Sequence, residues 1–175
     1  LPVVIDFTSP GALVALAPKA AAAGVALVSG TTGLAVAAEE VLAATARAVP
    51  VLWAPNMSLG VNLLYRLVEL ATRALPHADI EIVEAHHRHK ADAPSGTAAR
   101  LAEIAAETRR GFTPNGVAVR QGRGGITPGG RPVGEIGVHS VRMGEVIGDH
   151  DVYFGLDHEV VRISHRALGR DAFAA

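Results

Sequence analysis

Three short apolar runs, separated by two alanine-rich stretches of helical length, constrain the fold of this 175-residue chain most strongly. The runs cover residues 3–7, 25–28 and 50–54, and the first is continuous, as in a strand buried on both faces. Helices are predicted between them, over residues 10–23 and 35–48, the first capped by Thr8 or Ser9. This alternation predicts parallel strands joined by right-handed crossovers.

The pattern changes in the second part of the chain. A helix over residues 59–75 leads to a strand at 79–85, with Ile80 and Ile82 on one side, and then to a helix over 96–110. Four further strand-like segments follow, at 117–120, 134–141, 146–154 and 159–165. The turn between the middle pair predicts a hairpin. We therefore expect the C-terminal part of a Rossmann-like parallel sheet (α/β), followed by an α+β domain with a mixed sheet.

Composition excludes several classes of partner. The formal net charge of −1 provides no general attraction to nucleic acid or to anionic membranes, and no apolar run reaches the roughly 18 residues of a membrane span. Cysteine is absent, which excludes a disulfide framework and fits a cytoplasmic protein. The chain begins within a strand pattern, so we expect it to be a piece of something longer.

The segment 84–97, EAHHRHKADAPSGT, is the strongest indication of chemistry. Three histidines, an arginine and a lysine occupy residues 86–90, directly after a strand. Ser95, Gly96 and Thr97 then begin a helix, whose free N–H groups and positive dipole end favour an anion. With Lys90 just upstream, the segment predicts a site for a carboxylate or a phosphate.

His86 and His87 point to opposite sides if the strand continues, so they need different roles. One could donate a proton near neutral pH, and the other could hold an anionic oxygen. The alternatives without a catalytic or binding role are hydrogen-bonded structural histidines, a solvated basic patch and an ordinary helix cap. A metal-dependent hydrolase using His86, His87 and His89 is a further alternative, but the helical ligand spacing is missing and neighbouring cations would repel the ion. We expect no metal.

Two loops follow predicted parallel strands at the edge where such sheets bind ligands. The first is Gly30-Thr31-Thr32-Gly33, whose glycines allow close approach of the backbone, and the second is Ala54-Pro55-Asn56-Met57. Together they could line a nucleotide, although a tight turn explains each equally well. No G-x-G-x-x-G is present, so the phosphate-binding half of a Rossmann site is not found.

With these segments in view, the chain resembles the dihydrodipicolinate reductase family. The stretch E-A-H-H-x-x-K-x-D-x-P-S-G-T is highly specific, and the other matching segments occur in the family's order. They are residues 4–8, 30–33, 56–62 and 141–150. The resemblance runs almost end to end, but the family's first strand, its glycine-rich phosphate loop and its C-terminal return segment have no counterpart. We therefore expect an uncovered edge on the parallel sheet, which favours association.

The resemblance implies three parts: a partial nucleotide-binding domain at residues 1–56, a substrate and oligomerisation domain at 57–170, and the start of the return at 171–175. It implies NADPH or NADH as cofactor, held by Gly30, Thr31, Thr32 and the loop Ala54, Pro55, Asn56, Met57. His86 would be the general acid/base, with Lys90 as the second catalytic group. The substrate-binding residues would be His87, Ser95, Gly96, Thr97 and, by a looser match, Arg170.

The implied reaction is the reduction of 4-hydroxy-tetrahydrodipicolinate to tetrahydrodipicolinate in lysine and diaminopimelate biosynthesis. The implied substrate is thus a small cyclic imine dicarboxylate, and the implied assembly is a homotetramer. An inactive, oligomeric module that still binds dicarboxylates is the alternative.

Overall fold

The computed structural model describes residues 2–113 and 116–173, and the chain divides into two compact units. Unit 1 is Leu1–Met57 and unit 2 is Ser58–Ala175. The sequence predicted a boundary one residue earlier, after residue 56. Of the predicted return segment, Ala174 and Ala175 lie outside the described residues, and a short 3-10 helix, Arg170–Phe173, precedes them. No helix in the described ranges is long and apolar enough to cross a membrane.

Unit 1 alternates strand and helix as predicted. Its elements are β1 (Val3–Asp6), α1 (Pro10–Ala22), β2 (Ala26–Ser29), α2 (Val36–Thr45) and β3 (Val51–Trp53). The strands lie in the order β1-β2-β3 and all pair in parallel. Ser9 caps α1 by accepting a hydrogen bond from the Ala12 N–H, and Gly24, with φ 64°, follows its end.

One face of the unit 1 sheet holds the core. Leu13, Ala17 and Ala20 of α1 pack with Leu27 of β2 and Leu42 of α2. Several side chains on the opposite face are exposed, among them Ile5 at 70% and Leu52 at 55%. The prediction that β1 is buried on both faces is therefore wrong for this chain, because both helices pack against the same face.

Unit 2 contains a five-stranded mixed sheet and two helices. Its elements are α3 (Leu59–Ala74), β4 (Asp79–His86), α4 (Gly96–Arg109), β5 (Val119–Gln121), β6 (Ile136–Arg142), β7 (Asp149–Gly155) and β8 (Val160–Arg166). The strand order is β5-β6-β4-β7-β8, with β4 parallel to β6 and antiparallel to β7. The predicted fold class, a parallel sheet followed by an α+β part with a mixed sheet, is confirmed.

The predicted hairpin between β6 and β7 is wrong, because β4 lies between them. Their connection crosses the end of β4 and is tied to it. The Met143 N–H donates to the His86 carbonyl at 3.0 Å, and the Arg88 N–H donates to the Gly144 carbonyl at 3.1 Å. The hairpin in this region is formed by β7 and β8.

The core of unit 2 lies between the sheet and its two helices. Ile80 and Ile82 of β4 are fully buried against this core, whereas Glu81 and Val83 are only half-buried, as the alternation predicted. Because side chains alternate along a strand, Glu84 and His86 point to the same side as Ile80 and Ile82. The end of the central strand therefore carries polar side chains on the helix-covered face.

Candidate active site

The polar cluster at the end of β4 begins with Glu84, whose side chain is fully buried. Its carboxylate lies 2.5 Å from His86 Nδ1 and accepts from the Ser95 N–H at 3.1 Å. Arg142 of β6 donates to both carboxylate oxygens, at 2.9 and 2.8 Å. Burial by itself would raise the pKa of Glu84, but the hydrogen bonds from His86, Arg142, Ser140 and Ser95 hold that pKa far below its usual value.

His86 is 9% exposed and is the last residue of β4. With Nδ1 bound to Glu84, the other ring nitrogen, Nε2, lies toward Gly148. A Cβ at Gly148 would stand 3.1 Å from Nε2, closer than such contacts normally are. The absence of a side chain at this glycine therefore keeps the space beside Nε2 open.

A second histidine lies behind His86. The ring of His150, on β7, meets the His86 ring edge-on at 5.3 Å between centroids, and its Nε2 is 3.1 Å from Ser95 Oγ. Burial, followed by the neighbouring His86, lowers the pKa of His150 to about 4, against weaker opposition from Glu84. His150 is therefore neutral at neutral pH. A third ring, His165, lies 6.3 Å beyond it.

The helix that follows begins as the sequence predicted. Ser95 caps α4 by accepting from the Ala98 N–H at 3.2 Å. Gly96 is exposed, and a Cβ built there meets nothing within 4 Å. Lys90 pairs with Asp92 at 2.7 Å, and the Lys90 side chain is only 21% exposed. The predicted lysine thus has an internal carboxylate partner in this structure.

A cavity of about 580 Å³ in unit 2 brings two of the predicted substrate residues together. Its lining residues are His87, His89, Glu145, Ile147, Arg170 and Phe173. Arg170 starts the 3-10 helix, 83 residues after His87, so the fold places an arginine and a histidine around one space. His86, Lys90, Ser95, Gly96 and Thr97 are not among the lining residues.

The predicted cofactor loops lie at the carboxyl edge of the unit 1 sheet. The Ala54 N–H donates to the Ser29 carbonyl at 3.1 Å, so the loops after β2 and β3 are neighbours. Thr31 is 3% exposed, and its hydroxyl donates to the buried Asp6 carboxylate at 2.7 Å. Its N–H and its carbonyl are also bonded within the chain. Thr31 therefore anchors the loop, whereas Thr32 is exposed.

Packing within unit 1 explains why residue 30 is a glycine. A Cβ at this position would meet the Phe7 ring at 2.1 Å, so the ring fills the space that a side chain would need. An aromatic side chain of unit 1 thus makes a close approach to this glycine, whereas the sequence predicted the close approach of a ligand. Gly33, with φ 71°, provides the turn, and a Cβ there meets nothing within 4 Å.

The described residues contain no group of three or more histidines, cysteines or carboxylates that could hold a metal ion. The Nδ1 atom of His86 is bound to Glu84, and the rings of His87 and His89 lie 6.3 Å apart and tilted.

Sequence reasoning missed four residues of the cluster: Glu84, Arg142, Gly148 and His150. One signal was available: Glu84 lies on the predicted strand and His86 directly follows it, so the two side chains share a face if the strand continues. Arg142 is 58 residues from Glu84, and no local pattern reveals that pairing.

The fold and the site together define a Rossmann-like α/β unit, followed by an α+β unit with a buried carboxylate–histidine pair and a cavity lined by histidine, arginine and glutamate side chains. Residues 2–57 match the family model described as dihydrodipicolinate reductase, N-terminus, and residues 60–175 match the one described as dihydrodipicolinate reductase, C-terminus. The chain belongs to the dihydrodipicolinate reductase family.

The chain is also similar to curated reductases and to a solved structure. The chain is 51% identical to a 4-hydroxy-tetrahydrodipicolinate reductase of Anaeromyxobacter dehalogenans (strain 2CP-C), covering 98% of this chain and 63% of that protein. It is 49% identical to the reductase of Myxococcus xanthus (strain DK1622), covering 99% and 63%. A dipicolinate-bound dihydrodipicolinate reductase from Paenisporosarcina sp. TG-14 aligns with a TM-score of 0.74 at 28% identity, over 98% of this chain and 64% of that one. The chain thus spans about 63% of the length of the curated relatives it matches.

Proposed function

We propose that this chain carries the substrate site of an NAD(P)H-dependent oxidoreductase that reduces 4-hydroxy-tetrahydrodipicolinate to tetrahydrodipicolinate in lysine and diaminopimelate biosynthesis, in the cytoplasm. The observation that carries the proposal is the complete basic segment 84–97 at the end of the central strand of a chain in this family. The related reductase of Paenisporosarcina sp. TG-14 is bound to dipicolinate, a planar dicarboxylate of the same size as the substrate.

The dicarboxylate is recognised by cations and by the start of a helix. His87 and Arg170 face one cavity and would hold one carboxylate. Lys90 exchanges Asp92 for the substrate's second carboxylate, and the N–H groups of Gly96 and Thr97 at the start of α4 favour the same charge. Holding both carboxylates fixes the orientation of the substrate ring. This orientation lowers the entropic cost of reaching the transition state.

Unit 1 fits part of a dinucleotide site. Its loops 30–33 and 54–57 adjoin at the carboxyl edge of a parallel sheet, and Thr32 and the backbone around Gly33 are accessible there. When bound, a nicotinamide cofactor supplies the hydride. His86 donates the proton that neutralises the negative charge developing at the imine end of the substrate, with Lys90 as the second catalytic group.

Isothermal titration with pyridine-2,6-dicarboxylate tests the substrate site. We expect His87→Ala and Lys90→Ala each to weaken binding about 10- to 100-fold, the value of a charge-assisted hydrogen bond. Arg88→Ala is the matched control, because it removes an exposed cation from the same loop. Equal weakening by all three variants would indicate only a solvated basic patch, and the absence of binding to folded protein would refute the proposal.

Titration of the same sample with NADPH and with NADH tests the cofactor and its preference, and Thr32→Ala is expected to weaken either one. Turnover of 4-hydroxy-tetrahydrodipicolinate would exclude the alternative of an inactive module. Dicarboxylate binding without NAD(P)H binding or turnover would favour that alternative.

We further propose a homotetramer that assembles through unit 2. The sheet face away from α3 and α4 carries Tyr153 and Val160, the latter 63% exposed, beside the ion pair between Asp151 and Arg162. Aromatic, aliphatic and paired charged groups are typical of an interface. Light scattering should give four copies, and Tyr153→Glu should dissociate them, whereas Arg100→Glu on the exposed side of α4 should not.

A further inference from the structure

The carboxylate of Glu84 is fixed by three hydrogen bonds from two groups, Arg142 and the Ser95 N–H, before any ligand is present. Arg142 stands opposite His86 in the register of β4 and β6, and its guanidinium reaches back to both oxygens of Glu84. The Ser95 N–H, at the start of α4, donates to one of these oxygens. The same arginine also donates to the Asp92 carbonyl at 2.6 Å, so it links the strand pair to the loop that carries Lys90.

Such a carboxylate has no need of a histidine to satisfy it. Arg142 supplies the opposite charge, and the Ser95 N–H supplies a third hydrogen bond. Nevertheless His86 Nδ1 lies 2.5 Å from the carboxylate, and both side chains are buried. The pair resembles the general arrangement in which a buried carboxylate holds one ring nitrogen so that the other is free to react.

We propose that Glu84 is the positioning residue of His86, held in place by Arg142, and that it makes Nε2 the nitrogen that donates the proton. This inference rests on the proposed function, in which His86 is the acid. Glu84 accepts the Nδ1–H in both charge states of the ring. The Nε2–H bond breaks, the proton moves to the substrate, and a neutral imidazole with its proton on Nδ1 remains; solvent later returns a proton to Nε2.

Two neighbours support the assignment of Nε2. Gly148 leaves the space beside Nε2 open, and the next residue toward the N-terminus, Ile147, lines the cavity that contains His87 and Arg170. Arg142 neutralises the carboxylate, so Glu84 acts by orienting the ring and not by adding a net negative charge to the site.

The tautomer of His86 can be read from the ¹⁵N shifts of its two ring nitrogens in histidine-labelled protein, at a pH where the ring is neutral. In the unaltered chain we expect the proton on Nδ1, with at least a tenfold preference, since a hydrogen bond to a charged acceptor corresponds to roughly 10- to 100-fold. Glu84→Gln should abolish this preference, because an amide can donate to Nδ1 as well as accept from it. Glu84→Asp should restore part of it.

Glu81→Gln is the matched control, since Glu81 lies on the same strand but on the other face and pairs with Arg131 and His139. It should leave the His86 tautomer unchanged. A proton on Nε2 in the unaltered chain would overturn the proposal even if Glu84→Gln failed to fold, and so would an unchanged tautomer in folded Glu84→Gln. This measurement needs no substrate. A tautomer as expected, without pyridine-2,6-dicarboxylate binding, would instead overturn the proposed function.

Discussion

The buried His150 should make unit 2 lose stability as the pH falls. It is 3% exposed, and the groups that face it are the rings of His86 and His165 and the carboxylates of Glu84 and Asp149. Burial first, and the two neighbouring histidines next, lower its pKa from 6.5 to about 4 against the pull of the two carboxylates.

The sign follows from proton binding. Between pH 6.5 and about 4 the unfolded chain binds a proton at His150 and the folded chain does not, so acid favours unfolding. The stability of unit 2 is therefore unaffected by the titration of His150 above pH 6.5, and its unfolding free energy decreases as the pH falls from 6.5 to about 4. The full difference between the pKa values of His150 in the unfolded and the folded chain corresponds to roughly 3 kcal/mol of unfolding free energy, of which roughly 2 kcal/mol is lost by pH 5.

Hydrogen exchange of the β4 and β7 amides, followed by mass spectrometry from pH 5 to 7.5, measures the opening free energy of unit 2. The comparison is with His150→Gln, which should remove about 2 kcal/mol of pH dependence at pH 5. The titration of carboxylates such as Glu84 contributes to the pH dependence of both proteins, so this contribution cancels in the comparison. The chain's single tryptophan, Trp53, lies in unit 1, so its fluorescence during urea unfolding provides a signal that should lack this dependence. Parallel curves for the two proteins would refute the reasoning.

Three further outcomes are expected. Asp92→Asn should tighten pyridine-2,6-dicarboxylate binding up to about fivefold in calorimetry, because it frees Lys90 from an ion pair whose Asp92 side chain is 60% exposed and which therefore contributes at most about 1 kcal/mol; weaker binding would contradict this. Phe154→Ala should lower the unfolding free energy by about 3–5 kcal/mol in urea titration, and the 38% exposed Val161 should cost clearly less when changed to Ala. Thr31→Val should destabilise unit 1 by about 2 kcal/mol in Trp53 fluorescence, because a buried carboxylate loses a hydroxyl donor; an unchanged midpoint would count against the anchoring role.

The local parts of the fold were predictable because they depend on neighbouring residues. The run before Phe7 and the alternation at Ile80 and Ile82 predicted strands, and Ser95 predicted a helix start. The position of β4 between β6 and β7 was not predictable from the turn, because a turn signal records that the chain reverses, not which strand fills the gap. The prediction that β1 is buried on both faces failed for a similar reason. A β-branched run indicates that a strand can be buried, but it does not indicate which elements cover its two faces.

The same division applies to the candidate site. Histidines, Lys90 and the helix start lie within one segment and were found as a pattern. The support from Arg142 and His150 depends on strand register over 50 residues or more, which local spacing does not encode. Thr31 illustrates the converse: a residue in a ligand-type motif has all its polar atoms bonded within the chain, because the loop itself needs an anchor.

The position of β4 at the centre of its sheet also has a dynamic consequence. Its backbone is paired with strands on both sides, so its amides should be among the slowest of unit 2 to exchange. His86 ends this strand, and Ser95 is bonded back to it through Glu84. The side chains of the candidate site are therefore ordered when the chain folds, and a ligand would meet a site that loses little further entropy on binding.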